Sequence, residues 1–180
     1  AALVGGADWP AWRGPSRTGT SPETGLPAAW SPEGQNLAWR APYGSRSGPV
    51  VFGNRLYLQN ASGAGASLQE RIMGFDADTG KLLWEHRYNV FTSDVPPHRI
   101  AWSSPAVDPA TGTVFDISGG GLAMGLSPDG RLLWERSLAE EMGMWTTHGG
   151  RMSTPVIDGD QVIVSGLTFG WGQLASGAHR

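Results

Sequence analysis

Along most of the chain, apolar and polar residues alternate over four or five positions and then break at a cluster of Gly, Asn, Asp or Pro. A period of two puts successive side chains on opposite faces of an extended backbone, so each run predicts a strand and each break a turn. Two phrases carry the pattern. The first is Ser47-Gly48-Pro49-Val50-Val51, which returns as Ser103-Ser104-Pro105-Ala106-Val107 and as Ser153-Thr154-Pro155-Val156-Ile157, with prolines 56 and 50 residues apart. Each copy meets a turn (Gly53-Asn54, Asp108 to Gly112, Asp158-Gly159-Asp160) and then a β-type run such as Arg55-Leu56-Tyr57-Leu58. Two apolar runs around such a turn predict a hairpin.

The second phrase alternates with the first. Ile72-Met73-Gly74-Phe75-Asp76-Ala77-Asp78-Thr79-Gly80 runs into Lys81-Leu82-Leu83-Trp84-Glu85, and Leu122 to Gly130 runs into Arg131-Leu132-Leu133-Trp134-Glu135. Asn36-Leu37-Ala38-Trp39-Arg40 copies the closing strand alone. Four short antiparallel strands about every 50 residues, without helical periodicity between them, predict the blades of a β-propeller. The third copy reaches Ala178-His179-Arg180 where the first has Gln69-Glu70-Arg71. The expected architecture is therefore all-β: an N-terminal extension over 1–35, then an incomplete propeller of about two and a half blades over 36–180. Propellers close with about 4–8 blades, so the expected partner is the remainder of its own propeller or another protein chain.

Composition narrows the function. Gly (27) and Pro (13) fill over a fifth of the 180 residues, yet 39% of them are hydrophobic, which suits many turns between packed strands rather than disorder. The formal charge of −3 lacks the basic excess that binding a phosphate backbone needs, so nucleic acid is not an expected partner. No apolar run approaches the roughly 18–20 residues of a membrane span. The chain has no Cys, which removes disulfides and thiolate metal sites from it. Ala1 to Ala7 is small and apolar, with Gly5 and Ala7 suited to the −3 and −1 positions of a signal-peptidase site. Residues 1–7 are thus read as the remnant of an export signal, and the expected location is periplasmic or otherwise exported.

The stretch from Gly74 to Trp84 resembles the tryptophan-docking repeat of the pyrroloquinoline-quinone (PQQ) type of bacterial β-propeller. Asp76, Thr79, Gly80 and Trp84 stand at its spacing, and Gly130 and Trp134 close a shorter, degenerate copy. The opening Asp8-Trp9-Pro10-Ala11-Trp12-Arg13-Gly14-Pro15 looks like the start of such proteins, and Trp102-Ser103-Ser104-Pro105 is similar to their later phrases. The resemblance implies a structural role for these six residues: the Trp packs between blades, and the Asp, Thr and Gly shape a turn.

Binding chemistry is expected on the other rim, where the longer connections lie (Ala61–Glu70, Arg87–Ala101, Ser137–Met152 and Leu167–His179). His98 and His148 each stand seven residues before a phrase proline, with Arg99, Trp102 and Arg151 near them. These five are the candidate binding residues; none is a catalytic or metal-ligand candidate. Three functions follow. The expected one is a non-catalytic binding or scaffold module of the bacterial envelope with an envelope protein as partner, similar to the propeller lipoprotein that assists outer-membrane protein assembly. The second is a fragment of a PQQ-dependent dehydrogenase, the only reading in which PQQ and Ca²⁺ are expected cofactors. The third is an extrinsic subunit of a larger membrane or electron-transfer complex.

Overall fold

The computed structural model describes residues 7–90, 97–144 and 153–166. In chain order the strands are β1 Val50–Phe52, β2 Arg55–Ser62, β3 Gln69–Asp76 and β4 Leu82–Asn89, then β5 Ala106–Val107, β6 Val114–Ile117, β7 Leu122–Leu126 and β8 Leu132–Ser137. A last hairpin holds β9 Val156–Asp158 and β10 Gln161–Ile163. The first eight strands form two four-stranded antiparallel sheets, each in sequence order. They are propeller blades, and their first strands β1, β5 and β9 lie side by side.

Register makes the blades comparable residue by residue. Val50 pairs with Tyr57, Ala106 with Phe115 and Val156 with Ile163, while Gly74 faces Trp84 as Gly125 faces Trp134. The core lies between the sheets: Val50, Tyr57, Ile72 and Tyr88 of the first meet Val107, Val114, Met124 and Leu126 of the second. Full burial of such side chains contributes about 1.5–3 kcal/mol each.

The turns follow from their side chains. Asp76 Oδ1 accepts from the Thr79 backbone N–H at 2.8 Å and from the Thr79 hydroxyl at 2.7 Å, while the Gly80 N–H donates to Asp76 O at 2.9 Å. Asp108, Thr111 and Gly112 repeat this turn between β5 and β6. The shorter β7–β8 turn replaces the Asp by Ser127, whose hydroxyl accepts from the Arg131 N–H at 3.1 Å. Trp84 lies between two glycines. A Cβ on Gly74 or on Gly130 would stand 2.4 Å from its ring, and Trp84 Nε1 donates to Pro128 O at 3.0 Å. Trp39 covers Gly80 in the same way. Gly130 also has φ +85°, so Gly130→Ala is expected to cost about 1–3 kcal/mol through overpacking. A urea midpoint equal to that of the unsubstituted protein would contradict this.

Two features depart from the sequence reading, and a third adds to it. Strands β2 and β3 extend the pairing out to Ser62 and Gln69, leaving a far shorter connection than Ala61–Glu70. A short helix, α1 Leu138–Met142, sits in the expected Ser137–Met152 loop, capped by Ser137 and ended by Gly143 at φ +62°. At five residues it is too short to show a 3.6-residue period. Finally, the described part of the extension packs on the first strands. Trp9 pairs with Val51, Pro10 O accepts from Val107 N–H at 2.8 Å, and Arg17 donates to Ile157 O.

Candidate functional site

Of the five candidate binding residues, three lie among the described residues. His98 and Arg99 sit in a single 3₁₀ turn, Pro97–Arg99, with His98 exposed and Arg99 half-buried. Trp102 is half-buried and packs under Arg46, whose guanidinium carbon lies 4.9 Å from the ring centroid. Arg46 Nε donates to His98 O at 3.2 Å. The contact of His98 with Arg46 is thus made by its backbone carbonyl. His148 and Arg151 lie outside the described residues. Trp134 covers Gly125 of its own sheet and is 38% exposed.

Beside Trp102 opens a groove of about 740 Å³ along β5 and β9. Its walls carry Trp12, Arg13, Arg17, Arg46 and Trp102, with no Asp or Glu among the described residues that line it. Ser104 and Thr154, each the residue before a phrase proline, line it as well. Gly48 N–H donates to Ser104 Oγ at 2.8 Å, and Ser104 N–H donates to Thr154 Oγ1 at 3.4 Å, so one position in each blade bonds to its equivalent in the next. The sequence reading missed Arg46, Trp12, Arg13 and Arg17. A signal was there for Arg46: it stands three residues before Pro49, as Trp102 stands three before Pro105.

A second polar cluster, also unread in the sequence, joins the first two blades. Gln59 on β2 and Tyr88 on β4 both reach Asp116 on β6. Gln59 Nε2 donates to Asp116 at 3.2 Å and to Ile117 O at 3.0 Å, and the Tyr88 hydroxyl donates to Asp116 Oδ2 at 2.9 Å. Nearby, Glu70 accepts from Ala101 N–H at 2.6 Å and from Gly119 N–H at 3.0 Å. Gln59, Glu70, Tyr88 and Asp116 are all buried. Burial pushes the Glu70 carboxyl up to about 7, opposed by its two backbone donors and reinforced by Asp116. Burial likewise raises Asp116 to about 6 against the bonds from Tyr88 and Gln59. Both carboxyls are sealed from solvent and hold the joint between the first two blades.

The register shows that this cluster is no requirement of the repeat. Equivalents of Gln59, Tyr88 and Asp116 one blade further on are Ile117, Leu138 and Val164, which pack together as an apolar cluster. One joint is polar and the next is greasy.

A family model described as outer membrane protein assembly factor BamB matches residues 17–174. No curated protein matches the sequence. Among solved structures, BamB from Moraxella catarrhalis is similar at 16% identity and a TM-score of 0.44, covering 73% of this chain and 34% of that one. A europium-containing methanol dehydrogenase is similar at 18% identity and a TM-score of 0.45, covering 69% of this chain and 21% of that one. The chain thus spans about a third or less of the length of these two structures.

Proposed function

The chain belongs to the family of outer membrane protein assembly factor BamB, and from that premise we propose that it is a non-catalytic binding or scaffold module of the bacterial envelope that works on protein partners. The observation that carries this reading is the groove beside Trp102. It gathers two tryptophans and three arginines on a rigid scaffold, and Trp and Arg are residue types that dominate the energetics of protein interfaces. In this reading the protein is exported, and its partners belong to the machinery that assembles outer-membrane proteins.

The test is cross-linking in intact cells followed by recovery of the tagged, full-length protein from membranes. Outer-membrane assembly components should be enriched over an untagged control. Recovery of the protein from the cytosol, or no enrichment, would refute the reading. Saturable dye reduction by the full-length protein with added PQQ and Ca²⁺ would instead favour a quinoprotein.

A further inference from the structure

The geometry points to the groove beside Trp102 as the receptor for an acidic, extended segment of a partner protein, with Arg46 as its central carboxylate contact. The inference rests on the protein-binding reading above and adds the chemistry of what is bound.

Charge is the first observation. The chain carries 13 Lys and Arg against 16 Asp and Glu, yet Arg13, Arg17 and Arg46 converge on one groove with no carboxylate among its described lining residues. The local field there opposes the sign of the net charge. A ligand rich in carboxylates is attracted to it, and one rich in Lys is repelled.

The second observation is how Arg46 is held. Its guanidinium face lies on Trp102 and its Nε is engaged by His98 O at 3.2 Å. Two fixed points orient the planar fork before anything binds. The terminal nitrogens, which no described residue engages, are presented to solvent on an exposed side chain. A guanidinium so oriented suits bidentate pairing with a carboxylate. Arg17 differs, because it already donates to Ile157 O; its part is charge rather than direct pairing.

Third, Trp12 is 59% exposed at the groove wall. It supplies apolar area against which the stem of a Glu or Asp side chain can lie. The lining runs from Arg46 and Trp102 along β5 and β9 to Arg17 and Ile157, an elongated surface that suits an extended polypeptide better than a small anion.

The experiment uses the full-length protein and fluorescence anisotropy of a fluorescein-labelled decaglutamate peptide, with labelled decaglutamine as control. Decaglutamate should bind saturably and decaglutamine should not. Arg46→Glu should weaken decaglutamate by about tenfold or more, and Arg46→Lys by a few-fold, since it keeps the charge but loses the stacked fork. Arg131→Glu makes the same charge change on an exposed residue of the β7–β8 turn, away from the groove, and should leave binding within about twofold. Circular dichroism checks that each variant is folded. Equal losses for Arg46→Glu and Arg131→Glu, equal binding of decaglutamine, or competition by citrate at matched carboxylate concentration would each overturn the assignment. If Arg46→Glu still recovers the same cross-linked partners while decaglutamate never binds, this inference falls and the scaffold reading stands. Loss of all partners in the unsubstituted protein removes that reading itself.

Discussion

Trp84→Ala is expected to destabilise the folded protein by about 3–5 kcal/mol. The ring sits on Gly74 of its own sheet and Gly130 of the next, 5.9 Å from the Tyr57 ring, with its Nε1 bonded to Pro128 O at 3.0 Å. Removing it empties a space that two glycines cannot fill, because neither has a side chain to move into it. The Pro128 carbonyl loses its donor at the same time. Trp134 covers Gly125 of its own sheet as Trp84 covers Gly74, so Trp134→Ala should also be destabilising. Asp76→Ala, which loosens one exposed turn, should cost less than Trp84→Ala. Urea denaturation of the three variants checks the ranking. A loss no larger for Trp84→Ala than for Asp76→Ala would mean that Trp84 draws no stability from the second blade.

This ranking was partly readable beforehand, and the reason is local. A turn is set by neighbours in sequence: Asp76, Thr79 and Gly80 suffice to specify theirs, and the same chemistry at Asp108, Thr111 and Gly112 shapes a different strand pair. Hairpins follow from apolar runs around such turns. The site was less legible. Glu70 occupies the second position of β3, and Asp116 interrupts Val114-Phe115-Asp116-Ile117. In an isolated strand both read as polar positions facing water. Both are buried because the adjacent blade or its connecting chain covers them, and no period along one strand reports on that. His98 meets Arg46 through its backbone carbonyl. A backbone contact leaves no trace in residue type. Arg46 was visible only through the repeat, by setting it beside Trp102 at the same offset from proline.

Stability is expected to fall as pH rises from 5 to 8, by about 2–4 kcal/mol. Glu70 is raised from 4.5 to about 7 and Asp116 from 3.8 to about 6, in both cases chiefly by burial. Across this window the folded protein keeps protons that the unfolded chain has released, and each further rise in pH therefore favours unfolding. The stabilisation is complete below about pH 4 and is lost as pH passes through the folded values. Asp76, Asp108 and Asp129 shift the opposite way, held low by hydrogen bonds from Thr79, Thr111 and Ser127. Their contribution disappears only at pH below the usual carboxylate range, outside this window. Glu70→Gln mimics the protonated acid and should flatten the slope, leaving the variant more stable than the unsubstituted protein at pH 8. Asp116→Val alone should be destabilising by about 1–3 kcal/mol, since Gln59 and the Tyr88 hydroxyl lose their shared acceptor. Adding Gln59→Ile and Tyr88→Leu copies the apolar joint of Ile117, Leu138 and Val164 into this one, and should recover that loss and remove the share of the slope due to Asp116. Urea midpoints at pH 5, 6.5 and 8 for the four proteins decide it. A slope unchanged by Glu70→Gln and by the triple substitution would place the linked protons elsewhere. A triple variant no more stable than Asp116→Val would show that the polar and apolar joints are not interchangeable solutions to the same packing problem.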